Sequence, residues 1–401
     1  MSVDVFILNT GVADFRGSEF AFTDELVGPG GLALGETKDM PGYTQQDYKK
    51  WIGDGRATAG GPGNTAPLIA RAGLDVAVGV NLGKGNFDGL DAQGRYFYDT
   101  MTDNNIDMSQ AFVHPQLPTG TTFIYEKDSR ERGGIVYFPN ANNDFDFEYF
   151  KGSVEKLNPN VVYYMYSGLS KRGDANVGID LADFISWCKG KGIVTIVDSH
   201  TLTGNPQELI DTDAAIDEYR LLEPLLSGLD LFFTSYDEAR MIENTIGQKG
   251  LSKNMSEDQY ICHFFDLLSE KFWKDSKKPA MFGVTVSNGA FIKHTFEGRM
   301  SNPIKIESDF MVGEVMDLVG AGDSFRAGFI SYIAKNIKSF KAGSIDYSQA
   351  VQMGNLFASL YIKAPLDNRY GNIGTYEKMF KIVQDQQEYG SFDELIMAVK
   401  N

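Results

Sequence analysis

The chain has 401 residues, 42% hydrophobic and 23% charged, with a formal net charge of -17. That composition suits an ordered globular protein with a large buried core and argues against disorder. The acidity opposes nucleic acid and anionic membranes, no compact Lys/Arg cluster offsets it, and no apolar run reaches the roughly 20 residues of a membrane-spanning helix.

The first residues, Met1-Ser2-Val3-Asp4-Val5-Phe6-Ile7-Leu8, have an acid among them and no basic leader pattern, so a cytoplasmic location is expected. From Gly28 to Gly42 the chain is rich in glycine and carries Pro29 and Pro41, which predicts a long loop suited to clamping a ligand. Gly120 to Tyr125 and Gly134 to Phe138 flank a charged stretch, Lys127 to Arg132, and predict a β-hairpin in a small separate sheet. Further on, Val161 to Tyr166, Ile193 to Val197, Leu229 to Thr234 and Ala280 to Val286 are short apolar runs between amphipathic stretches. This alternation predicts an α/β fold, a doubly wound and mostly parallel sheet flanked by helices. Ligands in such sheets bind beyond the carboxyl ends of the strands. Here those ends are Ser167-Gly168, Asp198-Ser199-His200, Ser235 to Glu238 and Ser287-Asn288-Gly289. Cys188 and Cys262 fall in helical segments without metal-ligand spacing and are expected to be buried, reduced thiols.

The segment most informative for chemistry is Asp317-Leu318-Val319-Gly320-Ala321-Gly322-Asp323, followed by Phe325, Phe329, Ile330, Ile333 and Ile337 at helical spacing. A helix therefore starts near Gly320, and its first N–H groups lack intrahelical partners. Gly320, Ala321 and Gly322 leave those donors unshielded, so a phosphoryl group can rest on the helix terminus. In phosphoryl transfer the protein's task is to stabilise charge and align a nucleophile, and Asp323 supplies a base for a hydroxyl. Taken alone, the same residues also suit a turn with a helix cap.

The segment resembles the D-T-x-G-A-G-D signature of the ribokinase (PfkB-type) carbohydrate kinases, with Leu318 in place of threonine. Three further stretches are similar to that family: Gly60-Gly61-Pro62-Gly63-Asn64-Thr65-Ala66; Gly11-Val12-Ala13-Asp14 after a first strand at Phe6-Ile7-Leu8; and the hairpin from Pro118-Thr119-Gly120 to Asn142. The resemblance implies a ribokinase-like kinase domain over residues 1–401 with a β-sheet lid from segments near 14–50 and 111–142. It also implies ATP as phosphoryl donor, Mg²⁺, and a monovalent cation such as K⁺. Asp323 is then the catalytic base, and Gly320, Ala321 and Gly322 form the anion hole. Asp14, Gly60, Gly61 and Asn64 bind the acceptor, and Ser235, Ser287, Asn288, Gly289 and Asn355 lie around the nucleotide. Glu238, in Ser235-Tyr236-Asp237-Glu238 where the family has N-x-x-E, orders water on Mg²⁺. Asp91-Ala92-Gln93-Gly94 resembles a structural D-x-x-G.

The expected activity is transfer of the γ-phosphoryl group of ATP to a hydroxyl of a sugar or sugar acid. A nucleoside acceptor and a catalytically idle binding protein on the same fold are the alternatives. The edge of the lid sheet is a candidate dimer surface. Gly61-Pro62-Gly63-Asn64-Thr65-Ala66 also fits a dinucleotide fingerprint, but Asp54 to Ala59 does not read as the strand that motif requires. Gly83-Lys84 lacks the glycine and Ser/Thr of a P-loop.

Overall fold

The computed structural model describes residues 2–28, 30–126, 132–247, 255–274 and 277–400. The charged hairpin tip expected from Lys127 to Arg132 falls largely outside them, as does Pro29. The predicted parallel strands form the body of a nine-stranded sheet. Val161–Ser167 lies between Val5–Leu8 and Val194–Ser199, then come Leu231–Ser235 and Ala280–Val286, all parallel. Val76–Gly79 closes the far edge beside Val5–Leu8. At the near edge Gly289–Phe296 turns back antiparallel on Ala280–Val286. The residues of Val5–Leu8 and Val161–Ser167 are buried throughout, so each reads as one apolar run rather than an alternation.

Helices cover both faces. Ala321–Lys335 and Tyr347–Ile362 pack together most intimately, because Gly328 has no side chain where a Cβ would overlap the Met353 carbonyl oxygen. Among the described helices none is long and apolar enough to cross a membrane. Cys188 is buried in Ile179–Gly190, and burial pushes its thiol up to about 12. Cys262, expected to be buried, is only partly so, because its helix Glu257–Phe272 lies at the surface.

The hairpin strands Gly120–Glu126 and Arg132–Phe138 belong to a separate five-stranded sheet, as their composition predicts. Val12–Gly17 joins it in parallel to Gly120–Glu126, and Ala57–Gly60 pairs antiparallel to Val12–Gly17. Two sequence readings are corrected here. Residues 57–60 are a strand, although Ala, Thr, Ala and Gly carry none of the apolar bulk by which strands are recognised. The strand still gives no dinucleotide fold, since it belongs to an antiparallel pair followed by a short 3-10 turn at Gly61–Asn64. The segment from Gly28 to Gly42 is not wholly loop, because Ala33–Leu34 pairs with Val136 and Tyr137. An aromatic cluster of Phe15, Phe20, Tyr48, Trp51 and Phe123 packs under the helix Gln45–Gly53 and fixes one face of this second sheet.

Candidate functional site

The helix Ala321–Lys335 begins where its residues predict, with Gly320 as N-cap at φ +85°, a conformation that favours glycine. Asp317 organises the turn before it. Its Oδ1 accepts the Val319 N–H at 2.8 Å, and its Oδ2 takes guanidinium contacts from Arg16, at 3.2 Å, and from Arg369. Arg369 also donates to the Val319 carbonyl at 3.0 Å. The N–H of Ala321 is taken by Leu318, whereas those of Gly322 and Asp323 have no main-chain acceptor and project from the helix end.

Asp323 is 4% exposed and held on both carboxylate oxygens. Oδ2 accepts from the Asn64 amide at 3.0 Å and the Tyr166 hydroxyl at 2.5 Å, and Oδ1 accepts from Arg326 Nη2 at 2.9 Å. The same Nη2 lies 2.8 Å from Oδ2 of Asp198, whose Oδ1 accepts the Tyr166 N–H at 2.7 Å. Tyr166 adopts φ +56° at the end of its strand, which turns its ring towards the helix terminus. Burial pushes the Asp198 carboxyl up to about 7, with Arg326 opposing and Asp323 adding to the rise. Asn64, expected to face the acceptor, lines the cavity but is also engaged within the protein: its amide is on Asp323 and its carbonyl accepts from Tyr361.

Asp323 borders a cavity of about 310 Å³ between the carboxyl ends of the large sheet and the inner face of the second sheet. Asp14, Gly61, Asn64, Thr122, Tyr137 and Leu32 are in its wall, as are Gly320, Ala321, Gly322 and Arg326. Asp14 is 7% exposed, and burial raises its carboxyl to about 6 against the pull of Arg16 and a hydrogen bond from Thr122. Gly60 stands behind Asp14 rather than in the wall, and any Cβ there would overlap the carboxylate. Gly61, at φ +56°, brings its backbone against the Thr10 carbonyl.

A second cavity, of about 450 Å³, opens on the other side of the same helix end. Ser287, Gly289, Asn355 and Lys363 line it, while Asn288 points away and donates to Glu307. The two cavities share Ser235, Thr285, Leu318, Ala321 and Gly322. Leu318, 66% exposed, stands at their junction. Lys363 is buried with its Nζ on the Phe310 carbonyl and Ser359, and burial lowers it to about 8.

Ser235 and Glu238 form a capping box at the start of Tyr236–Ile246. Glu238 Oε2 accepts from Ser199 at 2.9 Å, from Thr234 at 3.2 Å and from the Ser235 N–H at 2.9 Å. No group of three His, Cys, Asp or Glu side chains able to hold a metal occurs among the described residues. One carboxylate among hydroxyls suits a cation that keeps most of its water, as Mg²⁺ does. Asp91 caps Ala92–Asp103 and binds Thr119, the structural role expected of it.

Tyr166, Arg326, Arg16 and Arg369 complete the site without having been singled out from sequence, and Asp198 joins them from one of the strand ends named there. Arg326 carried a usable signal, since it follows Asp323 by three residues on one helix face; Tyr166 and Asp198 carried only their positions at strand ends.

Comparison with known proteins follows the same lines. No curated protein matches the chain. Among solved structures, Anopheles gambiae adenosine kinase in complex with P1,P4-di(adenosine-5) tetraphosphate is similar at TM-score 0.61 and 16% identity, over 92% of this chain and 98% of that one. Xylella fastidiosa fructokinase with bound ATP matches at TM-score 0.61 and 14% identity, over 96% and 99%. A protein assigned as a ribokinase II from E. coli, in complex with ATP and Mg²⁺, matches at 0.58 and 15%, over 96% and 100%. At such identities the likeness is one of fold. The sequence model of the pfkB family carbohydrate kinases matches residues 33–211 and 289–369, well over half of the chain, and the protein belongs to that family.

Proposed function

We propose that the protein transfers the γ-phosphoryl group of ATP to a hydroxyl of a sugar or sugar acid, with Asp323 as the base. The observation that carries this reading is the meeting of two cavities at one helix N-terminus, with the Asp323 carboxylate in the wall of one. The acceptor occupies the cavity bounded by Asp14 and Asn64, and ATP the cavity bounded by Ser287, Gly289 and Asn355. The acceptor hydroxyl gives its proton to Asp323 while its oxygen forms the new bond to the γ-phosphorus. The bond from that phosphorus to the β–γ bridging oxygen breaks, and its electron pair leaves with ADP. The free N–H groups of Gly322 and Asp323 stabilise charge on the phosphoryl oxygens, each well-aimed donor worth about 3 kcal/mol in a dry site. Glu238 would hold Mg²⁺ through bound water, and the ion supplies charge neutralisation on the phosphates. The ionised Asp14 accepts hydrogen bonds from two acceptor hydroxyls.

A nucleoside acceptor is the second reading, favoured by the apolar wall of Leu32, Ile124, Ile135 and Leu169 beside Tyr137, which would take a base. ADP release from Mg-ATP across neutral sugars, sugar acids and nucleosides separates the readings. Stimulation by a sugar supports the first, stimulation by nucleosides alone transfers the assignment to the second, and silence across a broad panel counts against both.

A further inference from the structure

Arg326 lies one turn beyond Gly322 on the same face of the helix, with its guanidinium against the anion-binding turn. A Cβ at Gly322 would stand 3.2 Å from Nη1, so glycine there leaves the guanidinium room to lie beside the turn. Among the described residues it is the only Lys or Arg side chain lining the acceptor cavity. Its nitrogens are unequally used. Nη2 carries both carboxylate contacts, to Asp323 and Asp198, whereas Nη1 makes none of the hydrogen bonds described for this side chain.

We propose that Arg326 is a second catalytic residue: Nη2 holds the base while Nη1 faces the phosphoryl group in transit at Gly322. The inference rests on the assignment of Asp323 as base. The charges explain why one arginine can serve both ends of the reaction. Asp198, Arg326 and Asp323 form a buried cluster of one guanidinium between two carboxyl groups. When the acceptor proton reaches Asp323 that carboxylate becomes neutral, and the field of Arg326 is no longer cancelled from that side. The positive potential at the turn thus rises as negative charge gathers on the phosphoryl oxygens, in a site where low dielectric amplifies it. Asp198 keeps the guanidinium oriented throughout. Asp198 and Tyr163 are fully buried and Tyr166, Asp323 and Arg326 nearly so, which shields the cluster from water.

The test is a double-mutant cycle of Arg326→Met and Asp323→Asn with the acceptor that stimulates ADP release, supported by thermal melts of each variant. Arg326→Met should lower kcat by about 10² and change the acceptor KM by no more than about threefold. In the Asp323→Asn background it should still cost roughly a further tenfold, because the phosphoryl contact survives loss of the base. A zero further loss in that background would reduce Arg326 to a holder of Asp323 and overturn the proposal. Normal turnover of Asp323→Asn alone would remove the base assignment and the proposal with it, a distinct outcome. Should Arg326→Met not fold, Asp198→Asn combined with Arg326→Met removes the stranded buried charge and enters the same cycle. Recovery of kcat by guanidinium ion added to Arg326→Ala supports the phosphoryl contact, and its absence in a folded variant counts against it.

Discussion

A carboxylate that strips a proton from a hydroxyl must be held in place yet keep a lone pair open. Asp323 meets the first condition with three donors, two on Oδ2 and one on Oδ1, which leaves acceptor capacity on Oδ1. Asp14 faces a different demand, since it must be ionised to take two hydroxyl protons, and burial places its carboxyl at about 6. The kcat/KM for the acceptor should therefore fall as pH drops through about 6, and Asp14→Asn should show a lower value without that limb. Stability carries the opposite sign. The folded carboxyl is raised above its unfolded value, so the folded state binds the extra proton between about 4 and 6 and loses stability as pH rises across that window. Denaturant titrations from pH 4 to 7 should show a smaller decline in Asp14→Asn than in the wild type, the remainder belonging to Asp198 and Asp174, whose carboxyls burial also raises. A pH-independent difference would remove Asp14 from both accounts.

At the level of elements, the helix Ala321–Lys335 carries the anion turn at one end and is fixed along its length by Tyr347–Ile362. Gly328 permits that approach. An added methyl would overlap the Met353 carbonyl oxygen and meet the Phe357 ring at 2.9 Å. Gly328→Ala should lower stability by about 1–3 kcal/mol, read as a drop in Tm, and should lower kcat through displacement of the turn. An unchanged melting curve would show that the helices separate freely. The large sheet was legible in the sequence because its strands are buried on both faces and read as unbroken apolar runs. Ala57–Gly60 was not, since its small residues are a strand only through pairing with Val12–Gly17 and the cover of Tyr96, whose hydroxyl donates to the Ala57 carbonyl at 2.7 Å. Motifs likewise singled out Asp323, Asp14 and Asn64, which the fold brings to one cavity wall. Tyr166 stayed hidden because pairing across 157 residues, as with Asp323, leaves no local pattern.

Across the whole molecule, the proposed function requires a chain of net charge -17 to bring an anionic substrate to a helix terminus. On that account positive potential is gathered locally, from the free N–H groups of the turn and from Arg326, against an unfavourable average field. The second sheet covers the acceptor cavity, and among the described residues the outer side of the strand Arg132–Phe138 is paired with a strand at Val136 and Tyr137 and met by Asp24 and Thr23 at Gly134. We propose the edge of this sheet as a dimer surface. Light scattering should then give twice the 44.4 kDa of one chain, and a mass equal to one chain would refute it.

The central claim, that Asp323 is the base of a phosphoryl transfer, is tested most directly by comparing wild type with Asp323→Asn for turnover and for ATP binding. The account predicts a loss of at least ~10² in kcat with ATP affinity little changed, because only the proton acceptor is removed. Near-normal turnover in the variant would contradict it.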